Sequence, residues 1–317
     1  MDKTHSIGAM FGSVAGDTFL GLEPCADLDA LDSPIALIGV PCATPYPTVG
    51  AYCAGAPRAI RQVIAGYAAN LQHMDFDCGG RIFPEGSKPA VDCGDLAFDE
   101  ADPQGNRDAI RDAVAKILDR NSVPLVLGGD DSVPIPMLEA LAGRGKFTIL
   151  QIDAHIDWRD DVGGERMGLS STMRRASEMQ HIEAIVQVGQ RGLGSARLGD
   201  YEDAKAWGVT FVPARQVHAE GVQAALRHIK PGANVIVCFD CDALDPGIMP
   251  GVIGRAPGGL TYWQAVDLIE GAARRGRIAA FDLVEFMPDQ DVDQIGALNA
   301  ARLLATTMGI LARRRPV

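Results

Sequence analysis

From Ile35 onward the chain alternates short apolar runs, each closing on Gly, Asp or Pro, with longer stretches whose apolar residues recur at helical spacing. The runs that predict strands are residues 35–40, 125–127, 147–152, 184–188, 209–212, 235–239 and 278–284. Most are apolar throughout, the pattern of strands covered on both faces rather than on one. Residues 107–120, 262–275 and 296–312 predict helices with charged faces. Strands alternating with helices in this way predict an α/β fold built on a mainly parallel sheet.

Residues 1–33 carry Gly and Asp with little periodicity, and read as an N-terminal extension lying on the body or on a neighbouring subunit. Residues 34–317 read as a single domain, since no repeat, low-complexity linker or sharp change of composition interrupts them. No apolar run approaches the ~18 residues of a membrane span, and the N-terminus lacks a basic stretch followed by an apolar core. A cytoplasmic location is the expectation, with no membrane partner. The seven cysteines show neither zinc-type pairing nor a compact disulfide pattern, so reduced thiols are expected.

Charge narrows the function. A net charge of −12 with no long basic cluster argues against nucleic acid and favours cationic small molecules and metal ions. The closing Arg313-Arg314-Arg315 reads as a solvated tail.

In sheets of this kind ligands bind at the carboxyl ends of the strands, so the residues just after each run matter most. The run 147–152 is followed by Asp153-Ala154-His155-Ile156-Asp157, three potential ligands at alternate positions. The run 235–239 leads into Asp240-Cys241-Asp242-Ala243-Leu244-Asp245-Pro246, again with acids spaced by two. Asp at a strand end is also a common turn former and helix cap, and either cluster alone has that reading. Several carboxylates converging in a cleft would repel one another unless a cation neutralised them. A mixed carboxylate and imidazole set suits manganese, nickel, iron or zinc.

A third strand end, Gly128-Gly129-Asp130-Asp131-Ser132, allows a tight turn and close backbone approach. Glu285, after the run 278–284, has the chemistry to hold a planar guanidinium by paired hydrogen bonds. His73, His181, His218 and His228 stand alone and read as surface or core residues.

These strand ends, together with Gly39-Val40-Pro41, resemble those of the ureohydrolase family of arginases, agmatinases and guanidino-acid hydrolases. The resemblance implies a three-layer α/β/α sandwich with a central mainly parallel sheet, assembled as trimers or hexamers. It implies two divalent metal ions, Mn or Ni, held by Asp131, Asp153, His155, Asp157, Asp240 and Asp242, with Asp153 and Asp240 bridging. Water activated by the two cations would attack the guanidinium carbon. Asp157 and Glu285 would be the catalytic pair, the first passing a proton to the departing nitrogen and the second orienting the guanidinium.

The chain departs from the family pattern at two places. The glycine motif normally reads Gly-Gly-Asp-His-Ser, and here Asp131 stands where the metal-binding His is expected. Where agmatinases often carry Asn-His-Gly ahead of a double arginine, this chain reads Met167-Gly168-Leu169-Ser170-Ser171-Thr172-Met173-Arg174-Arg175. Trp158-Arg159-Asp160-Asp161 and Thr44-Pro45-Tyr46 are similar instead to the divergent agmatinase-like branch of guanidine, guanidino-acid and biguanide hydrolases, including metformin hydrolase.

The function expected is therefore cleavage of a C–N bond in a small guanidino or biguanide compound, releasing urea or a substituted urea and an amine. Tyr46, Trp158, Arg159 and Arg174 are the candidates for substrate binding. The alternative is a weakly catalytic or non-catalytic subunit supporting a paralogous partner, motivated by Asp131. A deacetylase-like hydrolase is a third option, against which stands the lack of a His pair beside the glycine motif.

Overall fold

The computed structural model of the chain describes residues 17–313. Among them nine strands form one sheet: β1 (Glu23–Pro24), β2 (Ile35–Val40), β3 (Val91–Asp95), β4 (Val123–Gly128), β5 (Phe147–Ile152), β6 (Ile182–Val188), β7 (Thr210–Val212), β8 (Asn234–Asp240) and β9 (Arg277–Val284). Their order is β1-β3-β2-β4-β9-β8-β5-β6-β7, and every neighbouring pair is parallel.

Successive side chains of a strand point to opposite faces, and here both faces are covered. Ile35 and Leu37 join one apolar cluster, packed by helices Ala56–Ile64, Tyr262–Arg275 and Ile295–Ala312. Ala36, Ile38 and Val40 join another, packed by helices Pro103–Asp119, Pro134–Glu139 and Thr172–Ser177. The result is the expected three-layer α/β/α sandwich, with all seven anticipated strands present and several extended by a residue or two.

Helix boundaries follow local chemistry. Asp102 caps the helix Pro103–Asp119 by accepting the Gly105 N–H at 2.9 Å, and Pro103 opens it where no N–H is needed. Thr261 and Gln264 form a reciprocal capping box at the start of Tyr262–Arg275.

Three expectations need correction or extension. Helix Ile295–Ala312 has 18 residues with a mean hydropathy of 1.4, so one segment is long and apolar enough to cross a membrane. Its apolar side chains are instead mostly buried against the sheet and the helices Ala56–Ile64 and Tyr262–Arg275. Arg313 is exposed but tethered: its guanidinium donates to the carbonyls of Ile82, Arg81 and Gly309. Arg314 and Arg315 lie outside the described residues.

Of the N-terminal segment, residues 17–33 lie on the body. Phe19, Leu20 and Leu22 enter the core, and β1 pairs with β3. The Phe19 N–H donates to Asp92 at 2.8 Å, and Asp92 is also gripped by Arg61 through contacts of 2.8 and 2.9 Å. This two-pronged pair is nearly dry, with Arg61 6% and Asp92 1% exposed.

Candidate metal centre

The four strands β4, β9, β8 and β5 are consecutive neighbours in the sheet. Their carboxyl ends carry Asp130 and Asp131, Glu285, Asp240 and Asp242, and the segment from Asp153 to Asp157, respectively. Parallel neighbours end on the same edge, so residues remote in sequence converge there. The turn after β4 passes close to the chain after β2, where a Cβ on Gly129 would fall 1.9 Å from the Pro41 carbonyl oxygen.

Two donor sets result, each with its ligand atoms within 4.8 Å of one another: Asp153, His155 and Asp242 in one, Asp131, Asp153 and Asp157 in the other. Asp153 belongs to both. Asp240 lies beside them, and its Oδ1 accepts the Asp242 N–H at 2.6 Å. Asp131 is 4% exposed, and its Oδ2 has no hydrogen-bond partner. A buried carboxylate oxygen left without a donor, facing two more carboxylates, fits a divalent cation.

The acid–base state of the cluster agrees. Burial, followed by the charge of Asp153 and other carboxylates, pushes Asp131 and Asp157 well above the usual carboxylate range. Asp240 is raised by burial and by Asp242. Asp153 goes the other way: burial opposes its charge, but hydrogen bonds from His155 and Asp157 hold it low. His155 lies 2.9 Å from Asp242 through Nδ1, and although burial disfavours its cation, hydrogen bonds to Asp153 and Asp242 push it up to about 12. Without metal the cluster therefore stores protons where ligand lone pairs are needed.

Glu285 has a left-handed φ of 65°, a strained conformation for this residue type. One carboxylate oxygen accepts the Asp131 N–H at 2.8 Å and the other the Tyr52 hydroxyl at 2.6 Å. Burial, then the charge of Asp130, raises it to about 8. Asp157 is also left-handed, with φ at 44°.

These groups open into a cavity of about 240 Å³, lined by Asp131, His155, Asp157, Asp240, Asp242 and Glu285, with Tyr52 and Ser195 beside them. A larger cavity of about 900 Å³ lies at the opposite ends of the strands, near Ile35, Val123 and Ile278, away from the acidic cluster.

The four substrate-binding candidates divide. Arg159 lines the small cavity, 3.4 Å from Asp200. Trp158 also borders it but is 2% exposed, with its indole N–H donating to Asp203 at 2.7 Å. Tyr46 packs against Gly168, and Arg174 is paired with Asp203 and Glu178; neither borders the cavity. Sequence reading missed Tyr52, Gln151 and Gln187. The last two carried a signal, being single amides near the carboxyl ends of mainly apolar strands. Tyr52 lies on an irregular segment and carried none.

A doubly covered parallel sheet with carboxylates and an imidazole gathered at adjacent strand ends is the framework of a metal-dependent hydrolase. A model of the arginase family matches residues 33–309. Guanidinobutyrase of Pseudomonas aeruginosa is 30% identical over 292 residues, covering 90% of this chain and 88% of that protein. Agmatinase of Serratia proteamaculans is 31% identical over 260 residues, covering 78% of each. Proclavaminate amidino hydrolase of Streptomyces clavuligerus superposes with a TM-score of 0.79 at 26% identity, over 95% of this chain and 98% of that one. The chain belongs to the arginase family and lies on its agmatinase-like branch. Its class of reaction is hydrolysis of amidino C–N bonds.

Proposed function

We propose that the chain is a binuclear amidinohydrolase, using two divalent cations, Mn or Ni, to cleave a small guanidino or biguanide compound into urea or a substituted urea and an amine. One observation carries this reading. Two donor sets share Asp153 and open, with Glu285, into a single cavity of about 240 Å³.

Asp131, Asp153 and Asp157 would hold one cation and Asp153, His155 and Asp242 the other, with Asp240 alongside. Bound cations supply water made acidic enough to act as a nucleophile near neutral pH. Glu285, fixed through both oxygens, orients the guanidinium, whose positive charge favours the ionised carboxylate. Asp157 borders the cavity, where as an ionised ligand it would take the proton given up by the attacking water and pass it to the departing nitrogen. Arg159 and Asp200 offer a cation and an anion to the substrate's tail. An oligomer of three or six subunits in the cytoplasm completes the proposal.

Metal analysis of the purified chain, with urea release across a panel of guanidino compounds, tests it. Two metals per chain and turnover are expected, and absence of stoichiometric metal would overturn it. A second reading, support of a paralogous catalytic subunit, is favoured by Asp131, which leaves one donor set without an imidazole. Full turnover by the chain alone would exclude that reading. Gain of metal and activity by Asp131→His would support it.

A further inference from the structure

Beneath the carboxylates lie two buried amides that the proposed reaction does not use. Gln151 of β5 and Gln187 of β6 are partners in the sheet register, 1% and 0% exposed. Gln187 Nε2 donates to Gln151 Oε1 and, at 2.8 Å, to the Ile156 carbonyl. Gln151 Nε2 donates at 2.7 Å to Asp153 Oδ2 and at 2.7 Å to Asp157 Oδ2.

An amide NH₂ has two protons, and Gln151 gives one to each carboxylate while its oxygen is taken by Gln187. Reversing Gln151 would aim its oxygen at two carboxylates. Gln187 holds it in place while its own Oε1 is left buried without a partner. A lone buried acceptor is costly, so stability alone does not account for the arrangement.

Once both are ionised, as cation binding requires, Asp153 and Asp157 repel each other, and an unbraced pair would separate. A Lys or Arg between them would hold them but would also compete with a bound cation. A neutral amide braces them and leaves their charge for the metal.

We infer that Gln151, oriented by Gln187, is a positioning residue that sets the spacing of Asp153 and Asp157 and with it the cation affinity of the Asp131–Asp153–Asp157 half. The inference rests on the metal reading proposed above.

Calorimetric titration of the metal-stripped full chain with Mn²⁺ tests it, using Gln151→Met and Gln187→Met, near-isosteric changes that delete the donors. Partners that orient metal ligands are typically worth about 10- to 100-fold in affinity. For Gln151→Met one of the two Mn²⁺ steps should weaken by about that factor, and the other, whose set shares only Asp153 with it, should weaken less. Gln187→Met should weaken the same step less. Melting temperatures in chelator report folding separately.

Two wild-type steps that both variants leave unchanged would overturn the relay alone. So would equal weakening of both steps in proportion to lost thermal stability. A wild-type chain that binds no Mn²⁺ would overturn the metal reading and the relay with it.

Discussion

The Tyr52 hydroxyl donates to Glu285 across 2.6 Å, joining the segment before the first long helix to the end of β9, 233 positions away in the chain. Burial and the charge of Asp130 raise Glu285, while this bond and the Asp131 N–H work against the rise. Tyr52→Phe removes one of those donors, so Glu285 will ionise at still higher pH. Hydrogen bonds to charged groups contribute about 1.5–3 kcal/mol, so kcat/KM should fall roughly 10- to 100-fold. The acid limb of the pH–rate profile should move to higher pH. An unshifted profile would remove Tyr52 from this role.

Metal binding should release protons. Asp131, Asp157 and Asp240 are raised, and His155 is pushed up to about 12, so the metal-free cluster holds protons that the cations must displace. Lower pH favours the protonated cluster, and apparent affinity therefore rises with pH. Titrations with Mn²⁺ in buffers of different ionisation enthalpy count the protons. Equal heats in every buffer would contradict the prediction.

Asp282 is buried in β9, with Oδ2 unpartnered, and burial raises it from 3.8 to about 8. The folded chain thus binds this proton more tightly than the unfolded chain. Its penalty on stability is absent at and below pH 4, grows as pH rises and levels off above the folded value. In the metal-free chain Asp282→Asn should gain on the order of 1–3 kcal/mol at pH 8 and little at pH 4. Denaturant melts in chelator at the two pH values give the difference directly.

Gly129→Ala should destabilise by about 2–4 kcal/mol, because the new Cβ meets backbone, the Pro41 carbonyl, with no side chain able to swing aside. The shift would also move Asp131. Loss of melting temperature together with weaker Mn²⁺ binding is the expected pair of results, and an unchanged melting temperature would refute it.

Much of the fold was legible because its central strands are apolar on both faces, a signal that needs no tertiary knowledge. The strands that escaped are those that break this rule. β3 reads Val-Asp-Cys-Gly-Asp and is only partly buried, and the two residues of β1 are a Glu and a Pro at the sheet edge. The acidic strand ends were readable for a similar local reason, being compact clusters at alternate positions. Their division into two donor sets could not be read from spacing, since it depends on which strands are neighbours, and only the family resemblance implied it. Tyr52 was invisible because its partner, Glu285, is distant in sequence. Arg174 illustrates the converse: a charged residue near a motif whose side chain turns outward to Asp203 and Glu178.

Because Asp153 contributes to both donor sets, the two ions of the proposed centre would have thermodynamically linked occupancies. Whatever the first ion does to that carboxylate, by drawing its charge or fixing its rotamer, it does to the ligand set of the second, and the coupling free energy is the same in either order of filling. The binding isotherm should therefore depart from that of two independent sites. Its departure measures how far one aspartate makes two ions behave as a single cofactor.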